Sequence, residues 1–293
     1  MIYDCFIFNN ELDILDIRLH ELNSVVDKFV LVESTVTHVN RDKPLYYDLN
    51  KNRYKEFSKK IIHIVVNDTP DVDLAWIIND FQFSQMNRGL SKCKPGDVIM
   101  FGDVDEIPKA EKVAEWENKK GTHKLFLERL SYYYLNLCEY TQKPLNGTHM
   151  MLYKDLIKLK STWVAKYSKI DTEIVDGGWH FSYIADEKGI EKKIESMAHQ
   201  EFNNAKYNTP EKIKLAILEG KDLFGRDLKF KIEDISTLPR YVQENRIKFE
   251  KYIFKTNLSN KIKILFLQKL FLSSKNFARI SARKLRASLS SLK

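Results

Sequence analysis

Three carboxylates, Asp103, Asp105 and Glu106, fall within four residues in the stretch VIMFGDVDEIP at residues 98–108. Like charges this close repel, and the repulsion must be relieved by a cation, by hydrogen-bond donors or by water. In an extended backbone Asp103 and Asp105 leave the same face and can share one ion, while Glu106 points elsewhere. Carboxylate oxygens suit Mg²⁺ or Mn²⁺, ions that keep positions open for phosphate oxygens. The chemistry indicated is metal-assisted work on a phosphate or diphosphate. An Asp-x-Asp alone is weak support for it, since solvated acidic turns after strands are common.

A second cluster, DGGWHFS at residues 176–182, brings Asp176, two glycines, Trp179 and His180 together. Paired glycines permit close backbone approach beside a ring and an imidazole, a combination that binding sites use. Tyr132, Tyr133 and Tyr134 are consecutive, so their rings alternate between the faces of any strand they occupy. A sugar-stacking platform and ordinary core packing with wet hydroxyls are equally open for them.

The elements that must position these residues follow from periodicity. Val98 to Phe101 read as a short buried strand, Gly102 as a sharp turn at its end, and Pro108 as a stop. That leaves the acidic turn at a strand's carboxyl end, where open α/β sheets place ligands. Residues 2–8, 29–32 and 61–66 read as earlier strands. Between them Leu12, Leu15, Leu19 and Leu22 recur at helical spacing, and residues 53–60 and 76–90 suit helices. Such alternation predicts a largely parallel α/β sheet with helices on its faces. After Pro108 the pattern is mixed, with a helix over 110–118, strands over 124–130, 132–137 and 150–154, and helices over 188–197 and 210–219. Pro210 in the first turn and Gly220 past the end frame the last of these.

Hydrophobic residues make up 43% of the 293, enough for a sizeable core in one large or two small domains. Cys5, Cys93 and Cys138 are too dispersed for a zinc site or a disulfide framework, which fits a reducing compartment. The start lacks a basic region followed by an apolar signal segment, and no run reaches membrane-spanning length. Of 48 Lys and Arg, eleven lie from Lys251 onward with no Asp or Glu among them, leaving 37 against 40 acidic residues before that point. A basic end on a slightly acidic body tells against a nucleic-acid binder. In residues 259–293, Ile262, Leu265, Phe266, Leu270, Phe277, Ile280 and Leu285 alternate with lysines and arginines at spacings that favour a helix. This is the pattern of an interfacial amphipathic segment with cations near anionic headgroups, the plainer reading being a packed terminal helix.

The blocks FNNELDILDIRLHEL (8–22), VVDKFVLVESTVTH (25–38), GDVDEIP (102–108) and GGWHFS (177–182), in this order, resemble glycosyltransferase family 17 over residues 2–226. Met86 departs from it, standing where the resemblance leads one to expect an arginine. The resemblance implies a GT-A-type fold, a single Rossmann-like α/β domain with a mixed, mainly parallel sheet over residues 1–258; the helical tail at 259–293 lies outside the resemblance. It implies inverting transfer from a nucleotide-sugar donor to a glycan, and the basic tail alone suggests a lipid-linked saccharide as acceptor, in surface polysaccharide or glycolipid synthesis. The family's best-known member implies N-acetylglucosamine carried on uridine diphosphate. Mn²⁺ or Mg²⁺ on Asp103 and Asp105, with His180 completing the shell, would neutralise the departing diphosphate. Phe8, Asn9 and Glu11 would frame the nucleotide together with Asp103, Glu33 would face its ribose or base, and Trp179 or one of the tyrosines would stack on a sugar. Inversion needs a base for the acceptor hydroxyl. Asp176 and Glu106 are the candidates, with Glu128 behind them; structural roles stay open for Glu33 and Glu106.

Two other classes use the same features. A non-catalytic carbohydrate-binding or scaffold protein could retain the fold, and a metal-dependent phosphotransferase or hydrolase could use the acidic turn, although no Walker loop is present. The expected location is cytoplasmic, with the tail peripheral on the cytoplasmic membrane face. Deleting residues 260–293 should release the protein from anionic vesicles while activity on a soluble acceptor persists; vesicle binding by the truncated chain would remove the tail's membrane role.

Overall fold

The computed structural model describes residues 1–116 and 120–255; the tail expected at 259–293 lies outside the described residues. Ile2–Phe8 (β1), Lys28–Ser34 (β2), Ile61–Val66 (β3) and Val98–Asp103 (β4) pair in parallel, in the order β3-β2-β1-β4. Helix Leu12–Leu22 (α1) connects β1 to β2, and Ala75–Ser84 (α2) lies between β3 and β4. The helix expected over 76–90 tightens at its end into a 3₁₀ turn, Gln85–Leu90. Because β1 has β2 on one side and β4 on the other, the chain switches direction across the sheet there, and a crevice opens between the strand ends. Phe8 lies beside Glu33 and Ile7 beside Asp103, so β1, β2 and β4 finish at a common edge.

Beyond β4 the sheet becomes mixed. Its further strands are Glu106–Pro108 (β5), His123–Tyr132 (β6), Leu137–Glu139 (β7), Leu145–Leu152 (β8), Thr172–Ser182 (β9) and Phe230–Ile232 (β10). Strand β8 runs antiparallel between β4 and β6, β9 runs parallel to β6, and β5 pairs antiparallel with β9. Where two strands were expected over 124–137, β6 is continuous to Tyr132. It stops because Tyr133 takes a left-handed backbone, φ 63°, a conformation that breaks a pleated ladder.

Alternation puts successive residues of each central strand into opposite cores. Phe6, Phe29, Leu31 and Met100 pack with Leu15, Leu19 and Leu22 of α1, while Cys5, Val30, Val32, Ile99 and Phe101 pack with Phe83 and Met86. Met86 is fully buried there, which explains an apolar residue where the resemblance suggests a cation. No helix among the described residues is long and apolar enough to cross a membrane.

One side chain joins this scaffold to the acidic turn. Arg18 of α1 is fully buried and grips Asp4 of β1 in a two-pronged pair, Nε to Oδ2 at 2.8 Å and Nη2 to Oδ1 at 2.6 Å. Its Nη1 donates to the carbonyls of Asp103 (2.9 Å), Val104 (3.4 Å) and Glu106. Removing one partner of a buried pair strands the other charge. Arg18→Met should therefore cost about 3–5 kcal/mol of unfolding free energy, read by urea titration. The double variant with Asp4→Asn should recover part of that loss; no recovery would show that the pair is not what stabilises this region.

Candidate active site

A cavity of about 610 Å³ opens where β1, β2 and β4 end, lined from β1 and its following turn by Phe8, Asn9 and Glu11, and from the acidic turn by Asp103, Val104 and Asp105. Its volume is within the range of small-molecule sites. The segment expected to stay extended instead turns at Val104 and Asp105 between β4 and β5, yet both aspartates reach the cavity. Their repulsion is relieved by the chain's own cations. Lys193, on helix Glu187–Ser196, places Nζ 2.8 Å from Asp105 Oδ2 and 3.5 Å from Glu11 Oε1. Lys166, ending helix Thr162–Lys166, places Nζ 3.4 Å from Asp103 Oδ2. Burial pushes the Asp105 carboxyl up, but Lys193 and His180 outweigh it and hold it below the usual range. Burial likewise pulls both lysines down, and the facing carboxylates more than compensate, so both stay charged.

Glu106 and Glu128 do not line the cavity. Glu106 is buried under the turn, where Oε2 accepts the Asp103 N–H at 2.9 Å. This explains Gly102, expected as a turn residue but found inside β4: a Cβ there would lie 2.5 Å from Glu106 Oε2. Glu128 is fully buried, with Oε1 accepting from Thr148 N–H and Oε2 lacking a hydrogen-bond partner. Burial and then Glu106 drive its carboxyl well above the usual range. It is thus a neutral structural acid, and a base needs contact with the acceptor. Asp176 sits in an irregularity of β9 with φ 53°, outside the cavity, paired to Lys109 (2.6 Å) and Arg129 (3.5 Å). Trp179 is 5% exposed and packs on Ile107 and Phe181, its Nε1 donating to Thr237 O at 2.9 Å, so the ring offers no face to a sugar in the cavity. Glu33 is also withdrawn, accepting from Tyr47 N–H (2.8 Å) and meeting His63 Nε2 at 3.0 Å.

His180 differs from its neighbour Trp179 by one step of strand alternation, and it does line the cavity. Opposite Glu106 in the β5–β9 register, it has a buried Nδ1 with no hydrogen-bond partner. Gly178, two residues earlier, lets β9 pass β5 closely, since a Cβ there would lie 2.2 Å from Ile107 O. Asp103, Asp105 and the orphaned imidazole are the donor types a divalent cation takes, and they face one space, so the donor set fits such an ion. Among the described residues no three His, Cys, Asp or Glu side chains stand together as a ready-formed metal centre; the lysines hold the two carboxylates instead.

Sequence reasoning missed several lining residues: His38, Lys43, Trp76, Lys166, Lys193, His199 and Glu201. Only His38 had a signal, as the last residue of the VESTVTH block. Burial lowers its pKa to about 4, against the pull of Asp103 and Glu11, so it is neutral at pH 7. At the mouth Trp76 is 46% exposed and meets His199 edge-on at 4.6 Å, and His199 Nδ1 lies 2.6 Å from Glu201 Oε1. That hydrogen bond lowers the Glu201 pKa and keeps it ionised. Of the three tyrosines only Tyr132 lines the cavity.

Glu128 gives a sharp test of the electrostatics. A carboxyl whose native pKa exceeds its unfolded value binds the proton more tightly when folded, so stability falls as pH rises from near 4.5 toward the native value. Glu128→Gln should be more stable than the native chain at pH 7 to 8, and its melting temperature should fall less between pH 5 and 8. An unchanged slope would mean that Glu128 is ionised in the fold.

The model of the family described as "Glycosyltransferase family 17" matches residues 1–257. The human and rat proteins named beta-1,4-mannosyl-glycoprotein 4-beta-N-acetylglucosaminyltransferase are each 32% identical to this chain over 108 residues, 34% of this chain. The chain spans about a fifth of the length of these relatives, 20%. With a family match across nearly all of the described residues, the chain belongs to glycosyltransferase family 17.

Proposed function

We propose that this chain is an inverting glycosyltransferase of GT-A type that moves a sugar, N-acetylglucosamine in the first instance, from uridine diphosphate to a glycan or lipid-linked saccharide. The observation that carries the reading is the acidic turn at the end of β4, opening with Phe8, Asn9 and Glu11 into one cavity at the strand switch. Strand ends at such a switch are where open α/β sheets bind nucleotides. Asp103 and Asp105, with His180, would hold Mn²⁺ or Mg²⁺, which supplies Lewis-acid neutralisation of the departing diphosphate.

The chain's own groups do the rest. As the acceptor oxygen bonds to the anomeric carbon, the bond from that carbon to the diphosphate breaks on the opposite side and the acceptor hydroxyl loses its proton. Of the carboxylates lining the cavity, Glu201 alone is kept ionised by a neighbouring imidazole rather than committed to a lysine, and it is the base we assign. The exposed ring of Trp76 beside it provides an apolar face for the acceptor sugar. A tail at 259–293 bound to anionic lipid would bring the chain to lipid-linked acceptors.

Calorimetric titration of uridine diphosphate with Mn²⁺ tests the site. The native chain should bind and Asp105→Ala should not, whereas Glu201→Gln should bind as the native chain does and lose about 10²–10⁴-fold in turnover. Absence of binding by the native chain, or binding indifferent to Asp105→Ala, would overturn the assignment.

A further inference from the structure

We infer that Lys43, Lys166 and Lys193 form a diphosphate-binding cradle in this cavity, and that Lys166 and Lys193 rest on the acidic turn until a diphosphate takes them. The inference rests on the proposed donor site and adds its anion-binding residues. Lys43 carries it furthest. Its ammonium is buried at the cavity wall and has no hydrogen-bond partner, an arrangement that costs free energy unless a ligand supplies the acceptor. The segment bearing it is fixed, since Lys43 N–H donates to Thr35 O at 2.9 Å just past β2. The nearest aromatic ring, Tyr46, lies 5.6 Å away and provides no acceptor oxygen in contact.

The other two ammonium groups are engaged but not sealed. The Lys166 and Lys193 side chains are 20% and 25% exposed. The Lys166 contact with Asp103, at 3.4 Å, is longer than a well-formed charged hydrogen bond. Each ammonium has three donors, so each can turn toward an anion in the cavity without leaving its ring contact, Lys166 at 4.8 Å from Phe83 and Lys193 at 5.5 Å from Tyr183. Three lysines from three separate segments face three carboxylates, Glu11, Asp103 and Asp105. A cation arriving on the turn would free the lysines, and a diphosphate would then meet them. Lysine and divalent ion are thus alternative partners of the same two aspartates.

Calorimetry with inorganic pyrophosphate and with uridine diphosphate, each in EDTA and in Mn²⁺, separates the possibilities. The native chain should bind pyrophosphate in EDTA. Lys43→Met and Lys193→Met should weaken it about tenfold or more, Lys43→Arg should recover part of what Lys43→Met loses, and unchanged circular dichroism spectra and melting temperatures of the variants control for folding. Titrated with Mn²⁺ alone, Lys166→Met and Lys193→Met should bind more tightly than the native chain, because Asp103 and Asp105 are freed. Methionine variants that bind pyrophosphate like the native chain, or a native chain that does not bind it in EDTA, would overturn the cradle, while metal-dependent binding of uridine diphosphate would leave the donor site standing. Pyrophosphate binding lost in the lysine variants, with no affinity for uridine diphosphate in either buffer, would support the cradle and overturn the donor assignment.

Discussion

The buried guanidinium of Arg18 is the constraint on which the site depends. A charge with no exposed surface must be paired, and Asp4 satisfies only one side of the fork. The remaining donors close on the carbonyls of Asp103, Val104 and Glu106, at the point where β4 ends and β5 begins. Those carbonyls flank the turn between β4 and β5, and Arg18 supplies a buried donor to each, with Thr148 Oγ1 also donating to Glu106 O at 2.8 Å. One residue of α1 therefore does two jobs, locking that helix onto β1 and setting the backbone of the acidic turn. The turn's side chains are then free to face the cavity.

That fixed backbone makes the charge arrangement around it tolerable. Two aspartates and a glutamate in four residues would repel in isolation, and each is answered differently. Asp105 is nearly buried and takes Lys193, Asp103 is more open and takes Lys166 at longer range, and Glu106 turns under the loop to receive a backbone N–H. Glu128 is fully buried, and burial followed by the charge of Glu106 raises its pKa well above the usual range despite Thr148 and Arg18, which favours its protonated form. Crowding of acids thus produces two classes in one small region: ionised groups toward the cavity, and a neutral one behind it. Of the catalytic candidates, Glu106 turns under the loop and Glu128 is the neutral acid behind it, so neither lines the cavity.

What the sequence made legible was whatever depends on neighbours in the chain. The alternation of β1, α1 and β2, the strand before the acidic turn, and the pairing of glycines with an imidazole at 177–180 all rest on spacing of a few residues, and each has its counterpart in the fold. The chemistry of the cavity does not. Lys166 and Lys193 lie 63 and 88 residues from the aspartates they meet, and in sequence Lys193 is one of several lysines in a charged helix that reads as a solvated face. Its role arises only because Ile190 and Ile194 pack that helix with Tyr132, Tyr183 and Ile213, which brings Lys193 to Asp105 and Glu11. Glu201 and His199 reach the rim in the same way, from a segment with no regular period.

The contrast between Trp179 and His180 shows how finely this division runs. Both belong to the same block, and both are residue types that bind sugars and ions, so composition cannot separate them. Strand geometry can. Residues one apart on β9 face opposite sides, and the β5–β9 pairing sets Trp179 opposite Ile107 and His180 opposite Glu106. The indole is thereby committed to the core, with its N–H on Thr237 O, and the imidazole to the cavity, with one nitrogen unsatisfied. A shift of one residue in that register would exchange the two, putting a bare indole on the acidic turn and a histidine into the apolar packing of Ile107 and Phe181. A slip the other way would put Trp179 opposite Pro108, in the place of Gly178, where a Cβ would lie 2.2 Å from Ile107 O. The β5–β9 register is therefore what decides which of the block's two chemically capable side chains can act.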